Sequence, residues 1–207
     1  SGNVSFYNET NSKSIHPTPV IGGVGIINDL KKITNIKTKK SGNIIIIVGK
    51  TIGHLGQSAF LHENFAMKDG PPPEINLLNE KNNGLAVLEL IKKGIALSVH
   101  DVSSGGMLVS MAEMSMSSGL GLKIYKPKKL KNFYEYFFGE DQGRYLIEVS
   151  KNNLKNIETL FKKNNIFHEN IAEVQSDTFE IEGLFSIKTK DLQICNNQWY
   201  YNFNAIN

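Results

Sequence analysis

The segment from His100 to Gly106 carries side chains suited to chemistry, because it joins a predicted strand to a predicted helix. It reads His-Asp-Val-Ser-Ser-Gly-Gly, and its small residues place free backbone N–H groups at the helix N-terminus, which is an anion-binding geometry. The alternative is a local role in which Asp101 or Ser103 caps the helix. His100 has no paired histidine, so its type favours a structural hydrogen bond over metal ligation.

A second polar segment lies immediately before a later predicted strand. Residues 137–144 read Phe-Phe-Gly-Glu-Asp-Gln-Gly-Arg and put two carboxylates, an amide and a guanidinium in one glycine-bounded turn. Such a turn has the donors and acceptors to bind a metal or a phosphate. It also has the charges to satisfy itself as a salt-bridged turn, and the residue types alone leave both readings open.

Two glycine-containing segments look like nucleotide motifs and are not. Gly49-Lys50-Thr51 follows a predicted strand, but a phosphate-binding loop needs a glycine five positions earlier, where this chain has Ile44. The stretch from Gly23 to Asn28 lacks the third glycine of a dinucleotide fingerprint and has no clear helix after it. The opening segment, residues 1–10, is rich in hydrogen-bonding side chains around one glycine and is a weak candidate for lining a ligand.

Alternating strands and helices must position these segments, so we predict an α/β fold with a mixed sheet and packed helices. The predicted strands are 4–7, 17–30, 44–48, 96–99, 120–125, 144–149, 171–174 and 179–181; the predicted helices are 57–65, 83–93, 104–119 and 154–163. The strand 44–48 is β-branched throughout, which predicts cover on both faces. Residues 33–42 are rich in lysine and form the best candidate for a connector between two units.

Composition excludes several classes of protein. A net charge of +3 is too small to indicate nucleic-acid binding. Cys195, the single cysteine, excludes an internal disulfide and a cysteine zinc cluster, and it suits a reducing compartment. No apolar run is long enough for a membrane span and no signal peptide is visible, so we expect a cytoplasmic protein. Because there is no initiator methionine, we expect the chain to begin inside a larger protein.

Five motifs in order resemble one enzyme family. They are Ser-Gly-Asn-Val-Ser-Phe-Tyr-Asn-Glu-Thr from residue 1, Pro-Thr-Pro-Val-Ile-Gly from 17, Gly-His-Leu-Gly-Gln-Ser from 53, His-Asp-Val-Ser-Ser-Gly-Gly from 100 and Phe-Gly-Glu-Asp-Gln-Gly-Arg from 138. Together they are similar to the second half of the synthetase component of phosphoribosylformylglycinamidine synthase. The resemblance extends from Ser1 to about Val174.

This resemblance implies a fold and a domain division. The family has two tandem copies of the architecture seen in aminoimidazole ribonucleotide synthetase, each an N-terminal unit followed by a C-terminal α/β unit. Residues 1–37 would then be the tail of the second N-terminal-type, ATP-binding domain, and residues 38–207 the second C-terminal-type domain.

The resemblance also implies a reaction, which is a ligase step of purine biosynthesis. Formylglycinamide ribonucleotide, ATP and ammonia give the amidine, ADP and phosphate, by phosphorylation of the amide oxygen and its displacement by ammonia. Mg²⁺ would neutralise the ATP oxygens. The expected partners are formylglycinamide ribonucleotide, a glutaminase subunit that supplies ammonia and a small bridging subunit. We expect the 207-residue chain to be inactive alone, because the family's catalytic histidine and other metal ligands have no counterpart here.

Residue roles follow from the family's motifs. Gly2 is expected to approach ATP, Asn3 to give a neutral oxygen to Mg²⁺ and Ser5 to hydrogen-bond the substrate. The other motifs correspond to a pseudo-symmetric second site, which makes a candidate auxiliary phosphate site of His100, Asp101, Ser103, Ser104, Gly105, Gly106, Gly139, Glu140, Asp141, Gln142 and Arg144.

Two alternatives stay open. The chain could be a non-catalytic scaffold or structural nucleotide-binding module of the same enzyme. It could also be another ATP-using relative, such as a selenophosphate synthetase or thiamine phosphate kinase, although Gly-His-Leu-Gly-Gln-Ser in this form is associated with the ligase family.

Overall fold

A computed structural model describes residues 7–15, 22–27, 29–30, 33–127 and 132–205. The chain divides into two compact units, Ser1–Ile33 and Thr34–Asn207, and each is considered by itself. Among the described residues, no helix is long and apolar enough to cross a membrane.

The smaller unit contains a short antiparallel hairpin. Strands β1 (Glu9–Thr10) and β2 (Lys13–Ser14) pair across a turn in which Asn11 and Ser12 have φ of 53° and 58°. The sequence predicted a buried strand over 17–30; residues 22–27 form no strand and Val24 is fully exposed, so the prediction is wrong there. A buried strand needs a neighbouring strand and a covering layer, and the described strands of this unit are two residues long. Residues 4–6 of the other predicted strand lie outside the described part.

The larger unit alternates strands and helices. Its described elements are β3 (Ile44–Val48), α1 (Ala59–Phe65), α2 (Leu77–Lys92), β4 (Ser98–Asp101), α3 (Gly106–Ser118), β5 (Gly121–Ile124), α4 (Phe133–Phe138), β6 (Tyr145–Val149), a 3₁₀ turn (Lys151–Asn153), α5 (Leu154–Lys163), β7 (His168–Gln175), β8 (Thr178–Ile181), β9 (Phe185–Lys188) and α6 (Thr189–Ala205).

Seven strands of this unit form one mixed sheet in the order β4-β6-β3-β7-β5-β8-β9. Its neighbouring strands are antiparallel except β5 and β8, which are parallel. Strand β3 is buried over its whole length, between β6 and β7. The predicted α/β class with a mixed sheet is therefore confirmed.

Alternation along β3 divides the interior into two cores, because successive strand side chains point to opposite faces. Ile45 and Ile47 pack in one core, which also contains the methionines of α3, Met107, Met111 and Met114. Ile44, Ile46 and Val48 pack in the other, with α2 and α5. Helices thus cover both faces of the sheet, as the β-branched run predicted.

One buried carboxylate ties the segment before β3 to the sheet. Glu148 on β6 has no exposed surface and accepts hydrogen bonds from the backbone N–H of Lys39 (2.8 Å), from Asn43 Nδ2 (2.7 Å) and from Ser98 Oγ (2.9 Å). Thr38 is also buried and donates to Ser118 Oγ at 2.6 Å. The second half of the predicted connector is therefore bound to the larger unit.

Candidate functional site

The two polar motifs meet at one edge of the sheet. Strand β4 ends at Asp101, and β6 begins at Tyr145 directly after the glycine-bounded turn. These strands are antiparallel, with Asp101 opposite Tyr145, so the end of one lies beside the start of the other. The structure thus brings together the residues of the predicted auxiliary phosphate site, residues 100–106 and 139–144.

Glu140 occupies the anion-binding position that the sequence predicted at the start of α3. Its Oε1 accepts a hydrogen bond from the backbone N–H of Gly105 at 2.7 Å and from that of Ala59, the first residue of α1, at 2.8 Å. No side chain caps α3 from its own N-cap position, Gly105, which lies at φ 84°. The start of α3 is therefore stabilised by a carboxylate from a different loop, and not by Asp101 or Ser103.

Asp141 fills a second group of backbone donors. Its Oδ2 accepts from Ile52 N and Gly53 N, each at 2.9 Å, and its Oδ1 accepts from His54 N at 3.1 Å. Successive N–H groups that converge on one point form an anion-binding nest. Here the anion is supplied by the protein, and the Asp141 residue is only 5% exposed.

Arg144 is buried and binds the same turn through its guanidinium group. It is 1% exposed, and its guanidinium donates to Gly139 O at 2.6 Å, to Asp141 O at 3.1 Å and to Thr51 Oγ1 at 3.2 Å. Its Nη1 lies 3.7 Å from Asp141 Oδ2. Burial lowers the pKa of Arg144 and the charge of Asp141 opposes that shift, so the group remains a cation.

The geometry of residues 139–144 therefore matches the self-satisfied, salt-bridged turn that was one of the two open readings. Phosphate binding by Gly139, Glu140, Asp141 and Arg144 stays a prediction, and a phosphate would have to displace internal contacts. Gly106 is also closely packed, because a Cβ there would lie 2.7 Å from the carbonyl carbon of Phe138.

His100 lies between two carboxylates. Its Nε2 is 2.8 Å from Glu113 Oε2 and its Nδ1 is 3.3 Å from Asp101 Oδ1. Its side chain is 13% exposed, whereas Ser103 and Ser104 are exposed. In the part of the chain that the structure describes, no group of three or more His, Cys, Asp or Glu residues is placed to hold a metal ion. The hydrogen-bonding role predicted for His100 agrees with this arrangement.

Sequence reasoning missed a cavity of about 640 Å³ beside this turn. Its walls come from the loop after β3, the start of α2, the turn before β6 and the segment between α5 and β7. The lining residues are Gly49, Lys50, Ile52, His54, Pro73, Glu74, Asn76, Asn79, Glu80, Asn83, Asp141, Gln142, Lys162, Asn165, Ile166, Phe167 and His168. Only Asp141 and Gln142 of the predicted auxiliary residues reach it.

One signal for the cavity was present in the sequence. Asn76, Asn79 and Asn83 are spaced three and four residues apart, which places three amides on one face of a helix. Lys50 and Lys162 reach the cavity from two other segments and form no ion pair among the described residues. The carboxylates of Glu74 and Glu80 line the same cavity, so its volume and its donors and acceptors suit a small polar ligand.

The residues to which the resemblance gave catalytic contacts cannot be placed. Gly2, Asn3 and Ser5 lie outside the described residues. Their expected contacts with ATP, Mg²⁺ and substrate therefore remain predictions.

Comparison with known proteins gives a consistent result. Residues 40–182 match the family described as AIR synthase related protein, C-terminal domain. The PurL subunit of phosphoribosylformylglycinamidine synthase from Pelagibacter ubique is 43% identical over 203 residues, covering 98% of this chain and 28% of the relative. The PurL subunit from Bartonella bacilliformis is 39% identical over 203 residues, 98% of this chain and 27% of its own length. The chain thus spans little more than a quarter of these relatives.

Solved structures share the fold at low sequence identity. Thermotoga maritima PurL complexed with FGAR superposes with a TM-score of 0.64 at 19% identity, over 79% of this chain and 30% of that one. E. coli HypE, a hydrogenase maturation protein, gives 0.53 at 18% identity, over 75% of this chain and 50% of that one.

Proposed function

Since this chain belongs to the AIR synthase related protein, C-terminal domain family, we propose that it works as part of the PurL subunit of a phosphoribosylformylglycinamidine synthase. The observation that carries the proposal is the 43% identity with Pelagibacter ubique PurL over 98% of the chain. The proposed activity is the ATP-dependent conversion of formylglycinamide ribonucleotide and ammonia to the amidine in purine biosynthesis.

The proposed division of labour puts the ligand contacts in the first residues. Gly2 approaches ATP, Asn3 contributes one oxygen to Mg²⁺ and Ser5 binds the substrate. A lone amide oxygen is a suitable Mg²⁺ ligand only where carboxylates and phosphates complete the shell, and those would come from other parts of the longer polypeptide. In domain terms, residues 1–37 belong to the ATP-binding domain and residues 38–207 to the second C-terminal-type domain.

The larger unit serves in this proposal as a rigid support. Glu140 and Asp141 hold the starts of α1 and α3 and the loop at residues 52–54 through five backbone N–H groups. Such fixed loops make the larger unit rigid, and precise positioning is the main requirement of phosphoryl transfer.

Further parts of the proposal concern ligands and partners. ATP is the phosphoryl donor, in keeping with T. maritima PurL, which has been solved with ATP and with ADP. A glutaminase subunit and a small bridging subunit are the proposed partners, as the resemblance implies. We place the protein in the cytoplasm.

A chimeric enzyme tests the function. The matching 203 residues of P. ubique PurL would be replaced by those of this chain, and release of ADP that depends on formylglycinamide ribonucleotide and ammonia would be measured. We expect the chimera to keep most of the parent's kcat/KM. A chimera with parental circular dichroism and thermal stability but no turnover would refute the proposal.

The same chimera tests Asn3. Asn3→Ala should raise the Mg²⁺ concentration needed for half-maximal rate several-fold, whereas Asn152→Ala, an exposed asparagine on the larger unit, should leave it unchanged. Equal Mg²⁺ titrations for the two variants would remove Asn3 from the metal site.

A purely structural role for the larger unit is the second candidate function. The observation that favours it is that the protein's own carboxylates, Glu140 and Asp141, already occupy the two groups of backbone N–H donors. Calorimetric titration of the 207-residue chain with Mg²⁺ and ADP separates it from an auxiliary nucleotide site. The structural role predicts no heat of binding. Binding that disappears in a His100→Ala, Asp101→Ala double variant would establish the nucleotide site instead.

A further inference from the structure

The cavity beside the turn at residues 139–144 has charged side chains of both signs in its walls. Lys50 follows β3, and Lys162 lies in the last turn of α5. Glu74 precedes α2, and Glu80 lies in its first turn. Among the described residues, none of these four side chains forms an ion pair. The cavity therefore has two cations and two anions in its walls that do not pair with one another.

Asn83 supplies a hydrogen-bond acceptor in the buried part of the cavity wall. The residue is 8% exposed, and its Nδ2 donates to Gly143 O at 2.9 Å, which leaves Oδ1 as an acceptor without a described partner. In the described part of the chain, every fully buried side-chain oxygen or nitrogen has a partner, so this Oδ1 must open into the cavity that Asn83 lines. Such an acceptor needs a donor from outside the protein.

A carboxylate lies beside this free acceptor. Glu80 and Asn83 are three residues apart on α2, so their side chains share one face of the helix. Both are also close to Gly143: Asn83 contacts its carbonyl, and Glu80 Oε2 lies 2.8 Å from the position that a Cβ on this glycine would take. A carboxylate next to an amide oxygen suits an ammonium group, which carries a positive charge and three N–H donors.

The two lysines belong to other walls of the cavity. The backbone N–H of Gly49 donates to Phe167 O at 2.9 Å, which joins the loop of Lys50 to the segment that follows Lys162. Both lysine side chains are exposed, and their ammonium groups suit a carboxylate. The cavity thus offers anions and a free acceptor on the side of α2, and cations on the side of β3 and α5.

Apolar side chains complete the lining. Ile52 and Phe167 are exposed and border the same cavity. A ligand with an apolar group would remove their surface from water, which is favourable. The third carboxylate of the lining, Asp141, is not available to a ligand, because its oxygens accept from backbone N–H groups.

The signs of the charges select the class of ligand. A ligand with charge of only one sign would leave two of the four charges unpaired. A nucleotide is disfavoured, because its phosphates would enter a cavity whose α2 side carries Glu74 and Glu80. A zwitterion can pair with both sides, and a volume of about 640 Å³ is sufficient for a small one.

We propose that the cavity beside the turn binds a free α-amino acid with an apolar side chain. The α-ammonium group donates to the carboxylate of Glu80 and to Asn83 Oδ1. The α-carboxylate accepts from Lys50 and Lys162, and the apolar side chain packs on Phe167. This inference does not depend on the proposed enzymatic function.

Calorimetric titration of the 207-residue chain with L-leucine tests the proposal, together with two analogues that each lack one charge. Isocaproate has the carboxylate and the side chain of leucine without the ammonium group, and isopentylamine has the ammonium group without the carboxylate. We expect L-leucine to bind and each analogue to bind about tenfold more weakly or less, because hydrogen bonds between charged groups contribute at least that much.

Variants locate the site. Lys50→Gln combined with Lys162→Gln should raise the dissociation constant of L-leucine about tenfold, and Glu80→Gln should raise it by a similar factor. The matched control combines Lys81→Gln with Lys163→Gln, two exposed lysines outside the cavity lining, and should leave the dissociation constant unchanged. Both lysine pairs lower the net charge by the same amount, so a general electrostatic effect would appear in both. Circular dichroism checks that each variant is folded.

Three results with the 207-residue chain would overturn the proposal. The first is no heat of binding with L-leucine at millimolar concentration. The second is binding of isocaproate or isopentylamine as tight as that of L-leucine, because the site would then not require both charges. The third is an equal loss of affinity in the control lysine pair and the cavity lysine pair.

The chimeric PurL described above tests whether the site stays open in a longer polypeptide. We expect the chimera to bind L-leucine with the dissociation constant of the 207-residue chain. Binding by the chain and none by the chimera would overturn the proposal, because another segment of the polypeptide would then fill the cavity. Turnover of the chimera is measured separately, so this result is distinct from a failure of the proposed function.

Discussion

Replacing Asp141 by asparagine tests whether its buried carboxylate is an internal anion that holds the loop after β3. The asparagine side chain would keep the size of the aspartate but lose its charge, and its NH₂ group would face one of the donors that now point at the carboxylate. These are the backbone N–H groups of Ile52, Gly53 and His54. Arg144, which is 1% exposed, would lose its nearest counter-charge.

The expected loss follows from these contacts. Hydrogen bonds to a charged group contribute roughly 1.5–3 kcal/mol each, but three on one carboxylate are not additive. Removing one partner of a buried ion pair costs about 3–5 kcal/mol, because the other charge stays buried. We therefore expect the variant Asp141→Asn to lose about 3–5 kcal/mol of unfolding free energy and about 10 °C in Tm.

Urea denaturation followed by circular dichroism would measure the change, with Asp177→Asn as the matched control. Asp177 is mostly exposed and pairs with Lys188 at 2.7 Å, so its replacement should leave the unfolding free energy nearly unchanged. If the two variants had the same stability, the interpretation of residues 139–144 as a scaffold held by internal anions would be refuted.

Three further predictions concern other contacts of the larger unit. Gly106→Ala should lower the unfolding free energy by about 2 kcal/mol or more beyond the effect of Gly94→Ala, as measured by thermal unfolding. Both glycines have positive φ, but only at Gly106 would a Cβ lie 2.7 Å from a backbone atom. The difference is therefore roughly the cost of a steric clash. Burial raises the pKa of Tyr136, so this side chain ionises near pH 10 in the unfolded chain and only at higher pH in the folded one. The unfolding free energy should therefore fall as the pH rises through about 10. Tyr136→Phe should reduce that fall between about pH 9 and 11. Glu148→Ala should cost about 3 kcal/mol or more by urea denaturation, because it leaves Asn43 and Ser98 without their acceptor, and Glu173→Ala, on an exposed ion pair, should cost much less.

Elements with a strong local pattern could be predicted from the sequence. The β-branched run became β3 with the predicted bounds, Ile44–Val48, and the amphipathic stretch became α5, Leu154–Lys163. Helix α3 ends where predicted, because Gly119 adopts the left-handed conformation at φ 78°. In these segments, local propensity and burial favour the same structure.

Other elements depend on contacts that no local pattern reveals. Helix α2 starts at Leu77, six residues before the predicted start, because Asn76 caps it there. The apolar pattern did not show this start, since Leu77 and Leu78 are exposed and do not belong to the buried face of the helix. Helix α6 was not predicted, since its aromatic end has no buried stripe to give a pattern.

The candidate site shows the same limit. The residue types in 137–144 indicated a polar turn, and the type of His100 indicated a structural hydrogen bond. The partners of Glu140 could not be inferred, because they lie 81 residues away at Ala59 and 35 away at Gly105. The cavity beside the turn is likewise assembled from four separate segments.

The central place of β3 has a consequence for biosynthesis on the ribosome. Both strands that pair with it, β6 and β7, are translated roughly a hundred residues after it, which is about 5–20 s at ordinary elongation rates. During that interval five consecutive β-branched residues emerge from the ribosome without the two strands that flank them in the folded sheet. Such a segment is prone to aggregate, so the nascent chain should depend on chaperones that bind extended apolar peptides until its C-terminal half has been made.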